Sequence, residues 1–174
     1  MLKLGIIGTG AISHYFIDAA HASQEFQLVA VYSRKLTTAQ QFASSYTDVS
    51  LFDNLEDFFQ SDFDIVYIAS PNSLHYTQAK LALASAKHVI LEKPAVTQPQ
   101  EWQDLVEIAQ ENQCFIFEAA RNYHEEAFTI IKNFLADKQI LGADFNYAKY
   151  SSKMPALHSG NTPNVFSDRF AGGA

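Results

Sequence analysis

The sequence predicts an α/β fold built on a doubly wound parallel sheet, and three observations carry that reading. Short apolar runs rich in Val, Ile and Leu recur at 4–7, 26–32, 63–69 and 88–91, apolar enough to be buried on both faces. Segments with helical spacing separate them, as a βαβ repeat requires. The first run ends in a glycine turn, Gly8-Thr9-Gly10, that feeds straight into the first helical segment.

The stretch Lys3 to Ser13 reads as a strand (Leu4, Ile6, Ile7), a turn, and the start of a helix whose apolar face is Ile12, Tyr15, Phe16 and Ala19. It is the context a dinucleotide-binding turn needs. Gly8 permits the tight turn, Gly10 lets the backbone approach a pyrophosphate, and Thr9, Ala11 and Ile12 complete the cradle at the helix N-terminus. Ser13 stands third, where a small residue lets helix and strand pack closely. The next strand, Phe26 to Tyr32, leads into Ser33-Arg34-Lys35 and a helix from about Thr37 to Tyr46. The end of a second strand meets the adenosine ribose in such folds: an acid suits the 2′-hydroxyl of NAD, an Arg the 2′-phosphate of NADP. No acid is present. Ser33, Arg34 and Lys35 favour NADP, with NAD second; the alternative is that Arg34 and Lys35 are solvated residues opening a helix.

A short strand at Val49 to Phe52 and a helix at Leu55 to Phe59 precede the run Phe63 to Ala69, which ends at Ser70-Pro71-Asn72. Asn72 or Ser73 is expected to cap the following helix, which carries His75. Ligands sit beyond the carboxyl ends of parallel strands, so this loop faces the crevice of the glycine turn. His75 then either meets the cofactor or bonds to a neighbouring backbone group. The run His88 to Leu91 delivers Glu92-Lys93-Pro94, placing an ammonium where nicotinamide and substrate should meet. A helix from Gln100 to Gln110 packs Trp102 inward, and Cys114 to Phe117 supplies a last strand.

Taken in order, Gly5-Ile6-Ile7-Gly8-Thr9-Gly10-Ala11-Ile12, Ser70-Pro71-Asn72 with His75, Glu92-Lys93-Pro94, and Glu118-Ala119-Ala120-Arg121 resemble the Gfo/Idh/MocA oxidoreductase family. The resemblance implies an NAD(P)-binding Rossmann domain over 1–120 and, over 121–174, the start of a second α/β domain with a mainly antiparallel open sheet. In the family that domain forms the substrate cavity and often the dimer interface, so association into a homo-oligomer through it is expected. The resemblance further implies hydride transfer between nicotinamide and a hydroxyl-bearing carbon of a sugar, polyol or diol. Lys93 would bond the reacting oxygen, although a free lysine, titrating near about 10.4, is a poor base at neutral pH. Glu92 would contact the nicotinamide side and help fix Lys93, or pair with its ammonium. Arg121, with Asn122 and Tyr123, would lie near cofactor or substrate, or form a structural salt bridge. Two further readings stand beside this one: a non-catalytic NAD(P)-binding regulator, which would have no use for Lys93, and a biliverdin-reductase-like enzyme.

In the second part, Ala127, Ile130, Ile131 and Phe134 mark an amphipathic helix from Glu125 to Ala136, with Gly142 as a left-handed cap, and alternation over Ala143 to Ser151 predicts a strand. One helix and one strand cannot bury their apolar faces alone, and Arg169 to Ala174 matches the approach to the family's Gly-Gly motif, so a truncated or partly represented parent is expected.

Composition narrows the partners. Of 174 residues, 48% are hydrophobic and 18% charged, with a net charge of −7, an ordinary balance for one domain with a proper core. That charge, with no basic cluster, argues against nucleic acid. No run approaches about 18 apolar residues and the first apolar stretch is too short for a signal-peptide core, so no membrane partner and a cytoplasmic location are expected. The single Cys114 cannot form an internal disulfide and reads as a buried small hydrophobe. No metal cluster is expected.

Overall fold

The computed structural model describes residues 1–146 and 148–170. Six strands form one parallel sheet: β1 (Leu2–Ile7), β2 (Phe26–Tyr32), β3 (Ser50–Phe52), β4 (Ile65–Ile68), β5 (His88–Leu91) and β6 (Ile116–Glu118), in the order β3-β2-β1-β4-β5-β6. The order reverses between β1 and β4, which pair from Leu4↔Ile65 to Ile7↔Ile68. Loops leaving the carboxyl ends there diverge, and a crevice opens between them.

Side-chain alternation assigns the helices to faces. In β4, Ile65 and Tyr67 join Leu4, Ile6, Leu28 and Val31 against α1 (Ala11–Ala22) and α2 (Leu36–Ala43). Val66 and Ile68 join Ile7, Val89 and Leu91 against α3 (Leu55–Gln60), α4 (His75–Ala84) and α5 (Pro99–Glu111). Phe58 of α3 is fully buried beside Phe63, and a side chain at Gly5 would meet its ring at 2.9 Å. Burying such a ring stabilises by roughly 1.5–3 kcal/mol. Asn54 caps α3 by accepting from the Glu56 and Asp57 N–H groups, and Gln98 with Glu101 forms a capping box on α5.

Several local expectations change. The buried face of α1 is Ser13, Ile17 and Ala20; Ile12 and Tyr15 are exposed, because the helix enters from the turn one position out of phase with its apolar stripe. The helix after β2 stops at Ala43, and Tyr46 instead shares a 2.6 Å hydrogen bond with His14 Nδ1. No side chain caps α4, whose N-cap is Leu74 behind a 3₁₀ turn, Asn72–Leu74, held by Leu74 N–H donating to Pro71 O at 2.9 Å. Trp102 is half-buried at the margin of the core.

Beyond β6 follow a 3₁₀ turn (Arg121–His124), α6 (Glu126–Leu135) and a short α7 (Met154–His158). Ile130, Ile131 and Phe134 of α6 are exposed. Among the described residues 143–151 form no strand, and Tyr147 lies outside them: alternation suits a sheet face, but the segment has no neighbouring strand to complete its hydrogen bonds. Gly142 is not left-handed, and α6 ends at Leu135 with a right-handed cap at Ala136. The second, antiparallel sheet is therefore not part of the described structure, and the Gly172-Gly173 approach lies outside the described residues. Among the described residues no helix is long and apolar enough to cross a membrane.

Gly8, just past the end of β1, is closely packed against β4. It has φ +107°, and an added Cβ would lie 2.4 Å from the Ala69 carbonyl oxygen. Gly8→Ala is expected to cost about 2–4 kcal/mol through backbone strain and overpacking. Melting without added cofactor should fall by roughly 5–15 °C; a variant melting within about 2 °C of the parent would show that the turn relaxes around a methyl group.

Candidate active site

The glycine turn is shaped from beneath. Ser13 is fully buried and its hydroxyl donates to the Gly8 carbonyl at 2.7 Å, tying the start of α1 to the end of β1. The third position of the motif thus holds a serine because its hydroxyl has an acceptor within reach. Gly10 is the N-cap of α1 in extended conformation, and an added Cβ there would meet nothing within 4 Å. No side chain caps this helix and no acid lies in its first turn, so its free N–H groups and positive dipole end face open space over Thr9, Gly10, Ala11 and Ile12. These residues fit a dinucleotide pyrophosphate.

At the end of β2, the Ser33 N–H donates to Phe52 O at 3.0 Å, which holds this loop against β3. Arg34 and Lys35 are exposed beyond it, and among the described residues no carboxylate forms an ion pair with Arg34. An unpaired guanidinium at this position suits a phosphate.

The loops after β4 and β5 are held together by buried polar groups. Ser70 Oγ donates to Gln78 Oε1 at 2.6 Å. His75 is 1% exposed, with Nε2 at 2.9 Å from Ser70 O and Nδ1 at 3.0 Å from Pro94 O. Of the two readings the sequence left open for His75, this geometry is that of bonding to neighbouring backbone: both ring nitrogens face carbonyls, and the ring joins the Ser70-Pro71-Asn72 loop to the Lys93-Pro94 loop. The Lys93–Pro94 peptide is cis.

Glu92 follows β5, its N–H donating to Ile68 O at 2.9 Å. Its Oε1 accepts from the Tyr67 hydroxyl at 2.7 Å and its Oε2 from the Lys93 backbone N–H at 3.2 Å. The carboxylate therefore serves the lysine's backbone, and among the described residues the exposed Lys93 ammonium has no ion pair. On the far side, Glu118 Oε1 accepts the Ala95 N–H at 2.9 Å. Arg121 is drawn elsewhere: its side chain is 90% exposed and pairs with Glu125 at 3.1 Å. The 3₁₀ turn Asp168–Phe170 packs against Asn72–Leu74.

Tyr67 and Gln78 join this network of loops without being singled out in the sequence, and Glu118 figures there only within the Glu118-Ala119-Ala120-Arg121 stretch. The signal for Tyr67 is a phenol in an otherwise aliphatic central strand, since a buried hydroxyl needs a partner. Concavities of about 300 and 260 Å³ lie at the opposite, amino ends of the strands, lined by residues such as His21 and Tyr46, or Lys3 and Asp62, and contain none of these groups.

The family described as an oxidoreductase family with an NAD-binding Rossmann fold, Gfo/Idh/MocA, matches residues 2–120. An uncharacterized oxidoreductase of Escherichia coli, YgjR, is 39% identical over 176 aligned positions covering 100% of this chain and 54% of that protein. The scyllo-inositol 2-dehydrogenase (NADP(+)) IolU of Bacillus subtilis is 35% identical with the same coverage. The chain thus spans about half the length of these relatives. KijD10, a 3-ketoreductase from Actinomadura kijaniata solved with NADP and TDP-benzene, superposes with a TM-score of 0.73 over 78% of this chain and 42% of that one, at 24% identity, which bears on the fold.

The His75 bridge has a measurable weight. His75→Ala removes two buried contacts and leaves a cavity, which should cost about 2–4 kcal/mol in urea unfolding; a loss below about 0.5 kcal/mol would mean the two loops hold their places without it.

Proposed function

The chain belongs to the Gfo/Idh/MocA oxidoreductase family, with its NAD-binding Rossmann fold over residues 2–120, and we propose that it forms the cofactor half and the lysine-bearing wall of an NADP-preferring dehydrogenase acting on a sugar, polyol or diol. The observation that carries the reading is the disposition of Lys93. Its backbone N–H donates to Glu92, while the residue is exposed after the carboxyl end of β5, beside β4, with no ion pair among the described residues. A sensor of the nicotinamide ratio would have no need of that arrangement.

The bound nicotinamide would supply hydride exchange with the carbon bearing the hydroxyl. Gly8, Thr9, Gly10, Ala11 and Ile12 would hold the pyrophosphate on the α1 N-terminus, with Ser33 and Arg34 on the 2′-phosphate. Ser70, Pro71 and Asn72 would line the crevice from the β4 side. In the reductive direction Lys93 would donate a hydrogen bond to the substrate carbonyl oxygen, stabilise its growing negative charge, and pass it a proton; in the oxidative direction it would take that proton back. The NADP preference draws on the absence of an acid after β2 and on the unpaired Arg34; the name of the Bacillus subtilis relative agrees with it and with a polyol substrate. We further propose residues 121–174 as the start of a substrate-binding domain, which the exposed apolar face of α6 supports.

Two substitutions in the full-length gene product test this. Lys93→Met should lower turnover on scyllo-inositol or a related polyol by at least about 10²-fold while NADPH binding, read by fluorescence, stays within about twofold; retained turnover removes Lys93 from the mechanism. Arg34→Ala should weaken NADPH by roughly 10-fold or more and NADH far less; equal losses would sink the NADP preference.

A further inference from the structure

We propose that Tyr67 is a positioning residue for Lys93, acting by holding the Glu92 carboxylate away from the lysine ammonium. The inference rests on the reading of Lys93 as the group that meets the reacting oxygen.

The geometry is specific. Tyr67 is 1% exposed in the central strand β4, and its ring stacks on Phe16 of α1 with centroids 3.9 Å apart and planes 3° apart. That stack fixes the ring, so the hydroxyl has one place to go, and it donates to Glu92 Oε1 at 2.7 Å. Burial, then the bond to Glu92, pushes the phenol's pKa well above its usual range, so it remains a donor throughout the working pH range. Glu92 Oε2 is taken by the Lys93 backbone N–H, and the Glu92 backbone by Ile68 O. Each carboxylate oxygen thus already accepts from a group other than the Lys93 Nζ, and the Tyr67 bond sets the direction in which the carboxylate points.

The alternative available to an adjacent acid and lysine is an ion pair. Without the Tyr67 hydroxyl, Oε1 would lose its donor in a half-buried residue, and the ammonium of the adjacent residue in the chain could replace it. A captured Lys93 would keep its charge but lose its freedom to reach substrate, and it would hold its proton more tightly. The tyrosine therefore holds the carboxylate that would otherwise capture the lysine, and it does so from inside the sheet.

A double-substitution cycle in the full-length protein distinguishes this from a packing role. Tyr67→Phe retains the ring and its stack, so melting should shift by no more than a few degrees. Reductive kcat should fall roughly 10- to 100-fold with the KM for NADPH within about twofold. The alkaline limb of the pH–rate profile should move up by about one unit, because the paired ammonium gives up its proton at higher pH. In a Glu92→Gln background, where no anion can capture the lysine, adding Tyr67→Phe should change kcat less than about threefold and leave the limb in place. Equal losses in both backgrounds, or an unmoved limb, would overturn the proposal. Were Tyr67→Phe to unfold the protein, the same limb read with 3-fluorotyrosine at position 67, whose more acidic phenol donates more strongly to the Glu92 carboxylate, decides the question: the limb should move down, and a raised or unmoved limb overturns the proposal. Lys93→Met run in parallel separates the two readings: unchanged turnover there means the function is wrong, whereas abolished turnover with unaffected Tyr67→Phe means only this inference is.

Discussion

The arrangement of this molecule follows from one close passage, where the backbone of Gly8 runs under the carbonyl of Ala69. Strands β1 and β4 are hydrogen-bonded to their last residues, with Ala69 N–H donating to Ile7 O at 2.8 Å, and both chains must then turn away in opposite directions. A residue with a side chain at position 8 would collide with the neighbouring carbonyl. Because the turn is this tight, α1 begins only three residues later, and its N-terminus lies at the mouth of the crevice rather than above the sheet. The anion-binding geometry is thus a by-product of packing two strands side by side, sharpened by the bond from Ser13 back to Gly8.

The buried side chains of Ser13, His75 and Gln78, like the buried hydroxyl of Tyr67, all serve loops at the carboxyl ends of strands. Burying a polar group is costly unless it is bonded, so each marks a place where a loop's position is worth more than an apolar contact. At the amino ends the sheet relies on exposed pairs such as Lys3 with Asp62, which contribute little to stability.

Much of this was legible in the residues. Apolar runs located the strands to within two or three positions, and Glu92-Lys93-Pro94 stood out because a charged pair directly follows a buried strand. Other parts depend on partners distant in sequence. Nothing local tells that His75 reaches both Ser70 O and Pro94 O, since that needs α4 laid against the β5 loop. Tyr67 resembled any strand aromatic until β5 brought Glu92 beside it. The alternation over 143–151 led to a strand because period two describes a face, whereas forming a strand requires an edge to pair with. For Arg121 the residues left a place near cofactor or a structural salt bridge both open, and only the fold shows its pair with Glu125 one helical turn away.

The passage of Gly8 beneath Ala69 also has a meaning in time. The two residues that shape the nucleotide turn are separated by more than a third of the chain, and β1 can settle between β2 and β4 only after both are available. Contacts of such long range form late, because the loop they close is long. During synthesis the glycine turn therefore waits for the chain through Ala69 before it can acquire its working shape. Until β4 arrives, the nascent chain carries an apolar strand with one flank unpaired, and the interval in which that flank needs shelter is set by the time taken to synthesise β4.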